Sequence, residues 1–445
     1  MKKQRAVILG AGESGTGAAI LALKQNFDVF VSDNNSVKTK YKNVFQKYNI
    51  SFEENKHSEE QILNADIIIK SPGIPDTADL IIKANKKKIL VISEIEFAGR
   101  YSDAKMICIT GSNGKTTTTE LTYHILKNVG MNVGLAGNVG KSLAWQVAEN
   151  NFDVFVVELS SFQLDGMRDF KADIAILLNI TPDHLNRYEN KFENYIASKL
   201  KIIQNQTETD AFIYCDDDDI ITSEIAKRLI KAKQFPFSIK KTVKPGAYRN
   251  DGKIIIDTNS KLFKMENGLL ALEGDHNVYN SMAAGITALL NDISNTDLKT
   301  SLSDFAGVEH RLEKYLKIRN IQFINDSKAT NVNSVWYALQ TVNEKIILIM
   351  GGQDKGNEYG VLKDLVRRKV KAIIAMGIDN DPIINAFEDI VPVYDTKSME
   401  DAVKTSYQLA DEGDTVLLSP ACASFDLFKN YEERGRLFKE TVRNL

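Results

Sequence analysis

Cysteine is scarce in this chain, long apolar runs are missing, and neither sign of charge dominates. The three cysteines, Cys108, Cys215 and Cys422, stand far apart with no CxxC pair, which argues against a zinc site, a redox dithiol or a disulfide framework. A reducing cytoplasm fits that usage. No apolar run approaches the roughly 20 residues that a membrane helix needs. The apolar stretch behind the basic start of MKKQRAVILGAGESG ends at Gly10, too soon for a signal peptide. A soluble chain with no membrane partner is expected. The formal net charge of -3 excludes a strongly basic nucleic-acid surface, and 43% apolar residues exclude wholesale disorder. Anionic ligands must therefore find local cations. Low-complexity linkers and short internal repeats are also absent.

What is present is length and alternation. A chain of 445 residues exceeds what one hydrophobic core usually supports, and the prior of roughly 100 to 200 residues per domain suggests about three domains. Residues 5 to 33 read as strand (AVILG), helix (GAAILALKQN) and strand (DVFVSD), a βαβ opening with a glycine-rich turn after its first strand. A further strand, ADIIIKSPGIP, ends at Pro72 and Pro75, which lack the N–H that pairing requires. A second alternation opens near residue 95 and runs through MICIT, DVFVVELSS and DIAILLNIT, apolar runs that read as buried parallel strands. A third begins after about residue 300 with KYLKIRNIQFINDSKATN, KIILIMGG, VKAIIAMG and DTVLLSP. The expected class is α/β: three domains, 1–94, 95–306 and 307–445, each a mainly parallel sheet with flanking helices. The acidic run CDDDD at 215 to 219 is expected to be a solvated loop, because adjacent side chains on a turn point apart.

ITGSNGKTTTTE, residues 109 to 120, has the strand, glycine turn and helix context of a phosphate loop. It is a variant, since Ile109 stands where the full pattern has its first glycine. Its physics survives. Gly111 and Gly114 let backbone N–H groups face phosphates, Lys115 supplies a point charge, and Thr116 can ligate Mg²⁺ at a helix N-terminus. Leu121, His124 and Ile125 form the expected helix stripe, with Gly130 as C-cap. The first turn, Gly10-Ala-Gly12-Glu-Ser-Gly15, matches GxGxxG, with Asp33 at the end of the next strand. It suits a dinucleotide, another nucleotide diphosphate or simple tight packing.

Glu158 of VVELSSFQL, and Asp183 and His184 of LNITPDHLNRY, follow buried strands and are plausible metal ligands beside the phosphates, although lone examples usually cap or satisfy a core. In FENYIASKLKII, Phe192, Tyr195, Ile196, Leu200 and Ile203 form a helical stripe and Lys199 falls within it. Alone, such a lysine snorkels to water. A lysine unable to do so would have a lowered pKa and could take up CO₂ as a carbamate, an anionic metal ligand. In the third alternation, Arg311 of VEHRLE, Asp326, Ser327, Lys328, Thr330 and Asn331 of INDSKATN, Lys355 of GGQDKG, and Ser419, Ser424 and Phe425 of SPACASFD gather at strand ends, which favours anion binding. A NAD-dependent oxidoreductase would use GAGESG but leave the phosphate loop idle, and a simple nucleotide switch would need no amino acid.

The ordered series GAGESG, KSPGIP, TGSNGKTTT, GNVG, VELSSFQL, NITPDHLNRY, YIASKLKI, GDHNVYN, EHR, NDSKATN, GGQDKG and SPACASFD resembles the Mur ligase family over the whole chain. NDSKATN and SPACASFD resemble its D-glutamate-adding members. The resemblance implies a cytoplasmic enzyme of peptidoglycan precursor synthesis. It would be a monomer with a Rossmann-like N-terminal domain for UDP-N-acetylmuramoyl-L-alanine, a central phosphate-loop domain for ATP and a mobile Rossmann-like C-terminal domain for D-glutamate. Carried over by motif, Gly111, Ser112, Asn113, Gly114, Lys115, Thr116, Thr117, Asn277, Arg311 and Asp326 would bind ATP. Thr116, Glu158, His184 and carbamylated Lys199 would hold Mg²⁺ at two sites, and Lys115, Lys199, His184 and Glu158 would be catalytic. Glu13, Ser14, Asp33, Gly73, Asn138, Ser160, Gln163 and His184 would contact the UDP-sugar, and Lys328, Thr330, Lys355, Ser424 and Phe425 the glutamate. Glu13 and Ser14 depart from the apolar residue and Thr of many relatives, and SDNNS departs from a pattern that often includes Arg. These departures fall where the resemblance places the uridine and diphosphate contacts. No nucleic-acid partner is implied.

Overall fold

The computed structural model describes residues 3–445. They form two compact units. The first runs to Ala271 and takes in Asn277–Phe305, and the second comprises Leu272–His276 and Ala306–Leu445. The architecture is α/β, with three mainly parallel sheets flanked by helices.

The first sheet has five parallel strands in the order Ser51–Glu53, Asp28–Ser32, Arg5–Leu9, Ile67–Lys70 and Leu90–Ser93. Val7, Ile8 and Ile68 are fully enclosed, as continuous apolar runs covered on both faces require. Each such side chain contributes about 1.5–3 kcal/mol of burial. Successive strands are added first on one side of Arg5–Leu9 and then on the other. The switch point therefore lies at the carboxyl ends of Arg5–Leu9 and Ile67–Lys70, where the Gly10 turn meets Ser71. Gly10 has φ +93°, and a Cβ there would overlap the Ser71 hydroxyl.

The second sheet, also in the first unit, has nine strands. Their order is Leu262–Glu266, Lys253–Asp257, Gly246–Asn250, Lys233–Ser238, Ala211–Cys215, Ile174–Leu177, Lys105–Thr110, Val154–Glu158 and Val133–Gly137. Pairing is parallel except for the hairpins that add Lys253–Asp257 and Leu262–Glu266. Three neighbours, Ile174–Leu177, Lys105–Thr110 and Val154–Glu158, end on the same edge and deliver the loops that matter below. Helix Lys115–Asn128 follows the central one. Its buried stripe includes Leu121 and Ile125, whereas His124 leaves the expected stripe to meet Asp304 at 2.8 Å.

The expectation for CDDDD is corrected. Asp217 accepts from Ser238 Oγ at 2.6 Å and Tyr279 Oη at 2.7 Å, and Asp218 caps helix Asp219–Ala226 while accepting Ile180 N–H at 2.8 Å. Adjacent side chains do diverge, but two of them find interior donors instead of water.

In the second unit a six-stranded sheet runs Glu313–Ile318, Ile321–Asn325, Thr415–Ala421, Ile346–Gly351, Val370–Met376 and Val393–Thr396, with only the first pair antiparallel. Among the described residues no helix is long and apolar enough to cross a membrane.

Candidate active site

The phosphate loop leaves strand Lys105–Thr110 and enters helix Lys115–Asn128 through Gly114, whose φ of +82° is left-handed. A Cβ on Gly114 would lie 2.6 Å from Asn280 Oδ1, so both conformation and space require glycine. The loop is laced to the segment after strand Ile174–Leu177. Asn113 N–H donates to Asn179 Oδ1 at 2.8 Å, and Asn179 Nδ2 returns a bond to Asn113 O at 3.0 Å. Ser112 Oγ donates to Thr181 O and accepts Thr181 N–H, both at 2.9 Å. Helix Asp275–Leu290 joins this frame through Asn280, whose Oδ1 accepts from Thr118 Oγ1 at 3.1 Å while its Nδ2 donates to Asn277 Oδ1 at 3.0 Å.

Lys199 does not snorkel. It is 1% exposed on helix Phe192–Leu200, and its stripe consists of Tyr195, Ser198, Lys199 and Leu200. Its Nζ donates to Gly111 O at 2.7 Å and lies 4.7 Å from the centre of the Tyr195 ring. Lys115 Nζ donates to the same Gly111 oxygen, also at 2.7 Å, and to Ser112 O at 2.9 Å. Two unit charges about 5 Å apart repel by about 3 kcal/mol at an effective dielectric of about 20. Burial first, and the Lys115 charge second, hold the Lys199 ammonium well below its usual range, against the opposing pull of Asp183, Asp165 and Glu158. Both causes disfavour the charged form of Lys199.

Glu158, at the end of its strand, is 1% exposed. One carboxylate oxygen accepts from Asn138 Nδ2 at 2.8 Å, and Asn138 N–H binds Glu158 O at 2.9 Å. The other, Oε2, is buried with no hydrogen-bond partner. An orphaned carboxylate oxygen beside a phosphate cradle fits a hard cation, which takes oxygen ligands. Thr116 is buried in the first turn of helix Lys115–Asn128. The His184 backbone is left-handed at φ 52°, and its half-exposed ring lies 3.5 Å from Asp183 Oδ2. Ser160 and Gln163 form a capping box on helix Ser161–Asp165, with Gln163 Oε1 accepting Ser160 N–H at 3.0 Å.

At the first sheet's switch point, Asp33 Oδ2 accepts Ala11 N–H at 2.7 Å and Oδ1 accepts Asn35 N–H at 2.8 Å. That carboxylate buttresses the glycine turn. Glu13 and Ser14 open helix Glu13–Lys24, and Glu13 accepts from Tyr41 Oη at 3.1 Å. Gly73 lies in the exposed loop beyond Lys70.

The second unit gathers its own strand-end cluster. Asp326 is buried and accepts from Ser419 Oγ at 2.8 Å and Leu312 N–H at 3.2 Å. Burial pushes its carboxyl up to about 7. Arg311 Nε is buried without a hydrogen-bond partner, a donor awaiting an acceptor. Arg434, fully enclosed, ties two loops by donating to Ser327 Oγ at 3.0 Å, Ser327 O at 2.8 Å and Cys422 O at 3.1 Å. Lys328 Nζ sits 5.3 Å from the centre of the Tyr431 ring. Ser424 is buried, whereas Thr330, Lys355 and Phe425 are exposed. Glu309, His310 and Glu313 converge as metal ligands do, but Lys439 donates to Glu309 at 2.6 Å and to Glu313 at 2.9 Å and offsets one of their two negative charges.

Sequence reasoning missed Tyr195 Oη against Ser112 Oγ at 3.1 Å, Asn179, Asn280, Arg187 and Arg434. Only Asn280 carried a signal, its helical spacing from Asn277.

The chain matches three family models: MurD N-terminal domain over residues 5–80, Mur ligase middle domain over 109–288, and Mur ligase, glutamate ligase domain over 310–422. It is 57% identical over 444 residues to the UDP-N-acetylmuramoylalanine--D-glutamate ligase of Bacteroides thetaiotaomicron, covering 99% of this chain and 100% of the relative. The protein of the same name from Salinibacter ruber is 39% identical, with 100% and 99% covered. Among solved structures, the fold resembles UDP-N-acetylmuramate-alanine ligase MurC from Thermotoga maritima, with TM-score 0.64, 20% identity and 99% of both chains covered. It also resembles MurF ligase from Thermotoga maritima in complex with ADP, with TM-score 0.62, 16% identity, and 94% and 95% covered.

Proposed function

The chain belongs to the Mur ligase family, and from that premise we propose that it joins D-glutamate to UDP-N-acetylmuramoyl-L-alanine with conversion of ATP to ADP and phosphate. It works as a cytoplasmic monomer in peptidoglycan precursor synthesis, with domain boundaries near residues 94 and 306. The observation that carries this reading is the buried pair of Lys199 and orphaned Glu158 Oε2 beside the phosphate loop. It supports a dry, charge-compensated centre for phosphoryl transfer.

The alanyl carboxylate oxygen attacks the γ-phosphorus, the bond to the β-phosphate oxygen breaks, and ADP leaves. The glutamate amine then attacks the acyl carbon of the resulting acyl phosphate, losing a proton as inorganic phosphate departs. The first step brings two anions together. One unit pair at about 4 Å costs about 4 kcal/mol at an effective dielectric of 20, close to a thousandfold in rate. Lys115, with the N–H groups of Gly114, Thr116 and Thr117, binds and orients the phosphates, and Gly111, Ser112 and Asn113 shape the rest of the ATP loop, the N–H groups of Ser112 and Asn113 being tied to Asn179. Lys199, enclosed and with its ammonium disfavoured, would take CO₂ onto Nζ with release of a proton and so become an anion. Thr116, Glu158, His184 and the Lys199 carbamate would hold Mg²⁺ at two sites, and the bound ion would supply charge neutralisation for phosphoryl transfer. Asn277, Arg311 and Asp326 serve the nucleotide. Glu13, Ser14, Asp33, Gly73, Asn138, Ser160, Gln163 and His184 serve the UDP-sugar, and Lys328, Thr330, Lys355, Ser424 and Phe425 serve the glutamate.

The test supplies alanyl substrate carrying ¹⁸O in its free carboxylate with ATP, Mg²⁺ and either glutamate enantiomer. Label in the released phosphate and product only with D-glutamate are expected. Unlabelled phosphate would sink the acyl-phosphate route.

A further inference from the structure

Arg187 has no role in the chemistry above, yet it ties together two loops that the reaction uses. It ends the short 3₁₀ turn Leu185–Arg187 that follows His184. One terminal nitrogen donates to Gly73 O at 2.8 Å and the other to Pro72 O at 2.9 Å. Its guanidinium carbon lies 4.8 Å from the centre of the Phe162 ring, and that ring lies 5.2 Å from the ring of His184. A planar fork that places both arms on adjacent backbone carbonyls fixes where a loop sits and needs no particular side chain there. The aromatic face beneath it restricts the fork to one plane. Phe162 in turn stands on the helix that follows Glu158. The proline-bounded loop of the first sheet, the His184 turn and the Glu158 helix are therefore joined through one side chain.

We propose that Arg187 is a positioning residue for the UDP-sugar. It latches the 71–76 loop of the first sheet to the 183–188 turn of the second, so that the sugar held at the first sheet presents its acyl end beside the phosphate loop. A lysine keeps the charge but loses the rigid planar fork and its seat on the Phe162 ring, which separates latch from charge. The proposal rests on the functional reading above.

Arg187→Lys and Arg187→Ala are compared with the unaltered chain for KM of each substrate, kcat, melting temperature, and hydrogen exchange of residues 71–76 in the free protein. Expected are a rise of about tenfold or more in KM for UDP-N-acetylmuramoyl-L-alanine in both variants, KM for ATP and D-glutamate within twofold, and faster exchange in the loop. An active parent with unchanged sugar KM in both variants overturns the proposal, as does an equal rise in all three KM values. So does a lowered melting temperature with unaltered kinetics, which marks a purely structural role. A parent without ligase activity overturns the functional reading instead, and the exchange data then decide the latch by themselves: unchanged exchange overturns it.

Discussion

The phosphate-loop centre of the first unit and the strand-end cluster of the second both gather charged groups at the carboxyl ends of parallel strands, yet they expose them differently. Lys199 and Glu158 are each 1% exposed and bonded to neighbouring backbone or amide groups. Thr330, Lys355 and Phe425 face water, and the buried groups behind them, Asp326, Ser327 and Arg434, satisfy one another or the backbone. The difference fits the division of work proposed above. Stabilising developing charge needs fixed dipoles and cations in a low dielectric, where they act without reorganising. Selecting a small zwitterion can use exposed side chains that order on binding, at the expense of rotamer freedom.

The comparison breaks first at Lys199. Lys199→Ala removes a buried group at the centre of the dry site, and turnover is expected to fall by about a thousandfold, the size of one uncompensated charge pair. If the active form is a carbamate, a short-chain carboxylic acid diffusing into the vacated space restores part of the rate. Measured kcat with and without added acid decides it, and full activity in the unrescued variant would end the carbamate assignment.

Lys355→Ala tests the exposed side. A charge-assisted hydrogen bond is worth about 1.5–3 kcal/mol, so KM for D-glutamate is expected to rise by about ten- to a hundredfold. KM for ATP and the melting temperature should stay put, because Lys355 is exposed. A parallel rise in KM for ATP, seen in initial-rate titrations of both substrates, would show that the two regions do not divide the work in this way.

The fold was legible because apolar runs such as VILG, ADIIIK, MICIT and KIILIMGG are long, continuous and broken by glycine or proline, so strand, turn and helix alternate without ambiguity. The phosphate loop was legible for the same reason. Lys199 was legible only through the family resemblance, since a lysine within an apolar helical stripe otherwise reads as an amphipathic side chain until Gly111 O and the Tyr195 ring are found around it. Asp217 and Asp218 misled in the opposite direction: their donors come from Ser238, Tyr279 and Ile180, remote in sequence. Arg187 and Arg434 bind carbonyl oxygens, and a carbonyl leaves no trace in residue identity. Patterning reports which face is dry, whereas partners brought together by tertiary folding must be seen.

The smallest expected effect concerns Glu94, a second buried carboxylate of the first unit, and it sharpens the contrast with Glu158. Glu94 is 3% exposed and accepts Ala144 N–H at 2.6 Å at the start of helix Leu143–Glu149. Burial nevertheless outweighs these donors, with Glu13 nearby adding to it, and pushes the carboxyl from 4.5 up to about 7. Between those values the folded chain holds a proton that the unfolded chain has released. The stabilisation from this group is complete below about 4.5 and is lost as pH rises through about 7. Glu94→Gln is neutral throughout and cannot lose it. Relative to the unaltered chain, the variant should therefore gain melting temperature between pH 5 and pH 8, on the order of a few degrees. Melting curves that shift in parallel across that interval would mean that the helix N–H groups keep Glu94 ionised. Donors would then outweigh enclosure at this position, and an unpaired oxygen like that of Glu158, lacking such donors, would be the rarer and more informative feature.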